Sequence, residues 1–410
     1  MMAKQSKALS PNQKAIKRLL KNKPAVFGLL TIIMTFFIAI FGYYLAPDST
    51  PNANDQISEV ALVDPGFEIM MLKVRKNRNT RNTSFFGHLL YGTPSEYKMI
   101  PVNYFAFEND SLRIEIYRGL EKSGELLKGE SIKIGLADII FPLFAEKGSV
   151  QPNGDNIRIR TINDQIEIVS IADLQGRVRK EQLFKKKFYL GTDKYGRDML
   201  SRLILGVRIS LAVGFIAVII SLTIGIVLGA FAGYFGGKVD DFIMLIINTV
   251  WSIPTLLLVF AIVLALGRGV GIIFLAVGLT MWVEVARIVR GQVMALREIQ
   301  FVEAAQSLGF KTWRIISKHI LPNILGPVMV VAAANFATAI LIEAGLSYLG
   351  FGIQPPTPSW GNMLNENYGM AIGGKPLLAL IPALAIMLMV LAFNLVGNGF
   401  RDALDVKTKI

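Results

Sequence analysis

Five stretches of this chain run for about the length of a bilayer crossing without one charged residue. They are 25–46, 209–235, 242–266, 324–342 and 377–400. Each is close to or above the roughly 20 residues that a helix needs to cross hydrocarbon. In that medium every backbone polar group has to be satisfied within the segment, so such runs form helices. A sixth run, 269–283, is uninterrupted for 15 residues and is extended by Val285, Ala286, Ile288 and Val289. The sequence predicts six spans. A mean hydropathy of +0.48 excludes an ordinary water-soluble domain. The first run, at 22 residues, is too long for a secretory h-region, and no small-x-small site follows it, so it reads as an uncleaved anchor.

The formal charge of +13 raises the question of nucleic acid, and its location answers it. Residues 47–200 hold 22 Lys/Arg against 21 Asp/Glu, a net of +1, which leaves +12 elsewhere. Lys4, Lys7, Lys14, Lys17, Arg18, Lys21 and Lys23 precede the first span with no acid among them. Arg287, Arg290, Arg297, Lys311, Arg314 and Lys318 follow span four, and Arg401, Lys407 and Lys409 follow span six. With six spans these regions share one side, and short basic loops stay in the cytoplasm. The basicity is a topology signal, not a nucleic-acid footprint. Residues 47–200 are then extracytoplasmic, since long loops translocate whatever their charge. The chain has no cysteine, so that region has no disulfide and the redox compartment is unconstrained.

Residues 47–187 form an insertion large enough to bury a core of its own. Alternation over 157–162 and 165–169 predicts strands, with Asn163-Asp164 as a hairpin turn, so the insertion reads as β-rich. Residues 73–84, KVRKNRNTRNTS, read as an exposed, solvated loop. His88 has no metal-ligand neighbourhood and reads as structural or exposed.

Within the spans, Gly225, Gly229 and Gly233 recur every four residues and mark a helix face that another backbone can approach closely. Ala332, Ala333, Ala334, Ala337 and Ala339 mark a second such surface. Pro254 and Pro382 are expected to interrupt spans three and six. Polar groups at membrane depth are expensive, so Glu284, Asn335 and Glu343 are candidate gate or translocation-path residues, and the alternative is that they bond neighbouring helices. Asn248 and Asn394 also lie deep.

Between spans four and five runs EAAQSLGFKTWRIISKHILPN, 303–323. Residues 298–308 favour a helix with Val302, Ala305 and Leu308 on one stripe. Gly309 ends it, because glycine accepts a left-handed backbone without penalty. Thr312 can cap a second helix carrying Trp313, Ile316 and Ile320 on one side, which Pro322 would end. Such a helix–turn–helix could lie on headgroups or dock into a groove on a partner.

Glu303-Ala304-Ala305, Gly309 six residues after the glutamate, and Leu321-Pro322 resemble the EAA loop of ABC importer permeases. His319 stands where the general pattern has an apolar residue and where the peptide/nickel branch commonly has histidine. LGTDKYGRDMLSRLILGVRISLAVG (190–214), GYFGGKVDDFIM (233–244), LSYLGFGIQPPTPSWGNML (346–364), FNLVGNGFRDALDVK (393–407) and KRLLKNKPAVFGL (17–29) resemble, in order, the C-type second permease of dipeptide, oligopeptide and nickel importers. The resemblance covers about 1–46 and 188–410. Asn398 departs from it, standing where relatives usually have an acid, and so does the long insertion.

The resemblance implies an all-α integral membrane fold, a six-helix type I importer bundle interrupted by the insertion. The expected domains are a basic tail and first helix (1–46), the insertion (47–187), a core (188–400) with spans near 209–235, 242–266, 269–289, 324–342 and 377–400 and a coupling loop at 298–322, and a cytoplasmic tail (401–410). It implies a substrate-translocating subunit, not an enzyme, whose coupling residues are Glu303, Ala304, Ala305, Gly309, Trp313, His319, Leu321 and Pro322. The chain has no G-x-x-x-x-G-K-[ST] loop to hold nucleotide phosphates. No metal site or cofactor is expected in this chain. The implied partners are a B-type permease, two ATPase subunits that bind ATP and Mg, an extracytoplasmic binding protein and membrane lipid. Di- or oligopeptides are the expected substrate. The alternatives are a nickel or small-solute permease and, from another class, an ion-coupled transporter or intramembrane enzyme working through Glu343.

Overall fold

The computed structural model describes residues 11–78, 83–119, 126–144 and 148–404, with side chains from residue 16. Lys4, Lys7, Lys407 and Lys409 lie outside the described residues, as do positions 79–82 of the basic stretch. In chain order the elements are α1 (Pro11–Lys21), α2 (Lys23–Leu45), β1 (Phe67–Arg75), α3 (Phe85–Tyr91), β2 (Tyr97–Glu108), β3 (Ser111–Ile116), β4 (Ser131–Gly135) and α4 (Leu136–Ile140). Then come β5 (Val150–Asn153), β6 (Asn156–Arg160), β7 (Ile166–Ser170), α5 (Ile171–Arg177), β8 (Leu183–Phe188), α6 (Met199–Phe235), α7 (Gly237–Trp251) and α8 (Thr255–Leu266). The chain continues through α9 (Val270–Arg297), α10 (Gln300–Ser307), α11 (Thr312–Ile315), α12 (Leu321–Tyr348), α13 (Trp360–Ile372) and α14 (Leu377–Leu404). They fall into two compact units. One holds residues up to Ala39, Gly206–Tyr368 and the residues from Ala379 on; the other holds Ile40–Leu205 and Gly369–Leu378.

The first unit is helical. Among the described residues five helices are long and apolar enough to cross a membrane: α2, α6, α9, the continuous stretch Thr312–Tyr348, and α14. The pair α7 and α8 supplies a sixth span only as a broken one, bent by 88°. The break falls at Pro254, where span three was expected to be interrupted. Asn248 and Val250 carbonyls close α7 on Ser252 and Ile253 N–H, and α8 restarts from the Pro254 carbonyl, which accepts from Leu258 N–H at 3.1 Å. Pro254 has no N–H with which to carry the ladder across.

Pro382 does not interrupt span six. It sits six residues into α14, which runs on to Leu404. Only the bond to the Leu378 carbonyl is lost. Span two is longer than expected: α6 has 37 residues and starts ten residues before 209.

The glycine face of α6 lies directly on α9. A Cβ on Gly225 would lie 2.8 Å from the Trp282 carbonyl oxygen and 2.5 Å from Val285 Cβ. On Gly229 it would lie 2.5 Å from Ala286 O, and on Gly233 2.6 Å from Arg290 O. The three carbonyls are themselves four residues apart, so two backbones run in contact with no side chain between them. Helix α9 is the most enclosed span, with 61% of its apolar window buried against 28–44% in the others. The alanine surface of α12 is only partly used. Ala337 and Ala339 are buried, Ala332 and Ala333 are half-buried, and Ala334 is exposed. Ala333 faces Gly397 of α14.

The second unit carries two small sheets and short helices. A five-stranded antiparallel sheet has the order β4-β3-β2-β1-β8, and β5-β6-β7 form a three-stranded meander. Leu72, Val102, Leu112 and Ile114 from the larger sheet pack with Leu136, Ile139, Ile157, Ile159, Leu174 and Val178 in one core. The 161–165 loop joins β6 to β7, and Asp164 takes the positive φ of 59° that lets it turn. The unit runs past residue 187, through the 189–205 segment. The first residues of the basic stretch are not loop: Lys73, Val74 and Arg75 belong to β1, where Arg75 pairs with Glu96. His88 is half-buried, its Nδ1 2.7 Å from Thr93 Oγ1.

Candidate functional site

The segment between α9 and α12 folds as an elbow whose inner side is fixed and whose outer side is open. Helix α10 ends in a Schellman arrangement. Phe310 N–H donates to Ala305 O at 3.1 Å, Gly309 N–H donates to Gln306 O at 2.9 Å, and Gly309 has φ +71°. A side chain at 309 would meet nothing within 4 Å, so glycine is required by the backbone and not by space. Val302, Ala305, Ile315, Ile316 and Ile320 are buried in one cluster with Val289 and Val293 of α9 and Ala230 of α6. Phe310 closes the turn, under the Arg314 guanidinium at 4.3 Å and stacked on the His319 ring at 5.9 Å. Polar contacts hold the same base: Arg297 Nη1 donates to Tyr234 O at 3.0 Å, Gln306 Nε2 donates to Tyr234 Oη at 3.3 Å, and Arg290 Nε and Nη2 donate to the two carboxylate oxygens of Asp240.

Three expectations change here. Leu308 and Trp313 are not on the buried stripe; they are 73% and 67% exposed. Lys311, not Thr312, occupies the cap position of α11. Pro322 ends nothing: a π turn over Ile316–Ile320 carries α11 into α12, where Pro322 stands in the first turn. Leu321 is half-buried and packs on the elbow cluster. Glu303 and Ala304 are exposed, and the Glu303 carboxylate has no hydrogen bond or ion pair among the described residues. The outer side of the elbow thus presents Glu303, Ala304, Leu308 and Trp313 together.

The membrane-depth polar residues are not gathered into one site. Asn335 is buried and its Nδ2 lies 3.5 Å from the Met281 carbonyl of α9, a helix-to-helix contact. Glu284 is exposed on α9. Asn248 accepts from Arg287 Nη2 at 2.6 Å, and Asn394 is exposed. Glu343 is fully buried: Ser347 Oγ donates to its Oε1 at 2.8 Å, and the Ser359 hydroxyl lies close enough to act on the carboxyl group. Each serine in turn accepts a backbone N–H, Ile353 for Ser347 at 3.3 Å and Asn362 for Ser359 at 3.1 Å. One carboxyl group therefore fastens both ends of the 349–359 loop.

A second constellation was not foreseen. In the second unit Asp193, Arg197, Asp198, Ser201 and Arg202 are all at most 2% exposed. Asp193 Oδ2 accepts from Arg197 Nε at 2.6 Å and lies 3.8 Å from Arg202 Nε. Asp198 Oδ1 accepts from Ser201 Oγ at 2.6 Å, and Ser201 Oγ accepts from Asp48 N–H at 2.8 Å. Burial pushes the Asp198 carboxyl up from its ordinary value, against the opposing hydrogen bonds of Ser201. The available signal was five charges packed into GTDKYGRDMLSR immediately before an apolar run.

An apolar helical bundle with a fixed, outward-presenting elbow between its spans defines the membrane subunit of a transport system. Comparisons with known proteins agree. Residues 225–410 match the family model described as binding-protein-dependent transport system inner membrane component, and residues 10–62 match that of the N-terminal TM domain of oligopeptide transport permease C. The glutathione transport system permease protein GsiD of Pectobacterium atrosepticum is 43% identical over 222 residues, 54% of this chain and 73% of that protein. The dipeptide transport system permease protein DppC of Bacillus subtilis is 42% identical over 221 residues, 54% of this chain and 69% of that protein. A structure of the inward-facing MetNI methionine ABC transporter aligns with 50% of this chain and 97% of its own, at 22% identity and a TM-score of 0.42. The chain belongs to the binding-protein-dependent inner membrane permeases, in their C type. It is a multi-pass membrane permease subunit, and its family is one of transporters, not of enzymes.

Proposed function

We propose that this chain forms, with a B-type permease, the pathway of an ATP-driven importer that carries di- or oligopeptides across the cytoplasmic membrane. Two separate ATPase subunits bind ATP and Mg and supply the energy, this chain holding no cofactor, and an extracytoplasmic protein delivers the substrate. Both termini and the elbow lie in the cytoplasm and residues 47–200 outside, a placement that the distribution of Lys and Arg supports. The bundle is of the six-helix type I importer kind, with the second unit as its extracytoplasmic insertion.

The observation that carries this reading is the two-sidedness of the elbow. Its inner residues are welded to α6 and α9, while Glu303, Leu308 and Trp313 face outward with apolar surface that water does not favour. A groove on each ATPase is the matching surface, and its closure on ATP shifts the bundle between outward- and inward-open states through unequal contacts in the two. The substrate class follows the relatives, whose names specify dipeptide and glutathione, both short peptides.

Crosslinking tests the coupling. A Leu308→Cys variant should crosslink to a cysteine in the ATPase groove, and deleting the ATPase should abolish uptake. Uptake that survives the deletion would point instead to an ion-coupled transporter. Accumulation of labelled dipeptide, competed by peptides and not by nickel, would fix the substrate; nickel uptake without peptide uptake would overturn it.

A further inference from the structure

Helix α3 buries none of its residues. Its sequence, FFGHLLY, places a large apolar or aromatic side chain at Phe85, Phe86, Leu89, Leu90 and Tyr91. Phe85 is 61% exposed, Phe86 71%, Leu90 57% and Tyr91 72%. A helix this short cannot hold itself together in water. A cluster of exposed apolar side chains this dense needs an apolar surface to meet.

Contacts at both ends fix where α3 lies. The His88 and Phe85 rings are 4.6 and 5.6 Å from the ring of Tyr44. Beyond Tyr91, Thr93 N–H donates to Ser49 O at 3.0 Å. A Cβ on Gly92 would lie 2.5 Å from that oxygen and 2.6 Å from the Tyr43 ring, so only glycine closes the turn against them. Tyr43 and Tyr44 form the last turn of α2. That helix has 23 residues, about 34 Å at 1.5 Å per residue, which matches the hydrocarbon thickness of a bilayer. Its tyrosines fall at the boundary between lipid and water, where aromatic rings collect. Helix α3 is held at the same height, and Tyr44 and Leu45, 47% and 46% exposed, extend its apolar surface onto a lipid-crossing helix. The stretch before it, 73–84, carries five basic residues and no acid, and Arg78 is exposed.

We propose that α3 is an interfacial anchor. Phe85, Phe86, Leu90 and Tyr91 enter the headgroup–acyl boundary of the leaflet reached by the C-terminal end of α2, and Arg78 meets lipid phosphate. The height of α3 and the cations beside it favour lipid over a protein partner as what covers this patch. The anchor tethers the second unit to the bilayer surface independently of what the permease carries.

The absence of native cysteine makes the test direct. Phe86→Cys, Leu90→Cys and, as an aqueous control, Asn153→Cys would each carry a nitroxide in the full chain, reconstituted in nanodiscs of phosphatidylethanolamine and phosphatidylglycerol. Power saturation then compares access of oxygen, which concentrates in lipid, with that of a water-soluble nickel chelate. At 86 and 90 oxygen should exceed nickel, with the order reversed at 153. Labels at 86 and 90 as open to nickel as the label at 153 would overturn the anchor. Labels shielded from both reagents only when the B-type permease is present would overturn it too, by assigning the patch to protein. All three positions are exposed, so the substitutions leave the fold intact.

Discussion

Gly229 of α6 lies against the carbonyl oxygen of Ala286 of α9, so close that a Cβ on the glycine would sit 2.5 Å from that oxygen. No side chain fits there without moving one helix off the other. Gly229→Ala is expected to lower stability by about 1–3 kcal/mol through overpacking, and Gly229→Leu by more. Gly291→Ala, where a Cβ would meet nothing within 4 Å, serves as a control and should be neutral or slightly stabilising. Thermal aggregation of the purified subunit in detergent reads all three.

Gly309 tests the elbow in a different way, because its cost is in the backbone alone. An L-residue in its left-handed conformation costs about 1–2 kcal/mol. Gly309→Val should insert normally in the membrane yet hydrolyse more ATP per substrate imported, while Gly309→Asn, which tolerates that conformation, should fall between. Equal coupling ratios in all three proteins would remove the elbow's shape from the mechanism.

Glu343 separates a fastening role from a proton relay. Glutamine has no titratable proton but keeps an acceptor oxygen for Ser347 and Ser359. Glu343→Gln should therefore transport nearly as well as the unaltered chain. Glu343→Ala strands two buried hydroxyls, at about 1–3 kcal/mol for each group left unsatisfied, and should free the 349–359 loop. Thiol labelling of an Ile353→Cys reporter, at a position 2% exposed in the folded loop, measures that release. Loss of uptake in the glutamine variant with the reporter still protected would favour the relay.

The second unit should respond to pH. Burial raises the carboxyls of Asp55, Asp138 and Asp198 above their ordinary values, with Asp48 adding repulsion at Asp55. The folded state then binds these protons more tightly than the unfolded one. Their contribution is fully present below the unfolded carboxylate value and is lost as pH rises through the raised folded values. Hydrogen exchange of β1–β3 in the full chain, corrected for intrinsic rates, should reveal stability falling as pH rises from about 4 towards neutrality. Asp198→Asn should flatten the slope.

Hydropathy made the spans legible, and four-residue spacing made the α6 glycine face legible, because both are properties of one helix read along its own axis. Gly309 was legible for the same local reason. Pro254 and Pro382 were indistinguishable in sequence, yet one breaks its span and the other sits near a helix start, where a single lost bond is tolerated. Leu308 and Trp313 were placed on the buried stripe by assuming uniform α-helix; the turn at 309 and the π geometry over Ile316–Ile320 rotate them outward. The serine partners of Glu343 stand four and sixteen residues along, and only the second reveals the loop it fastens. The buried ion pairs around Asp193 read as solvated charge until the fold encloses them.

Because the π turn carries α11 into α12 without a break, Trp313 and Tyr348 stand near opposite ends of one continuous helical stretch of 37 residues. At 1.5 Å per residue it measures roughly 55 Å, so a tilt of about 10° about one end displaces the other by roughly 10 Å. A shift of that size at the far tip calls for no unfolding and no hinge within the hydrocarbon. The proline that looked like a stop stands inside that length and not at its end.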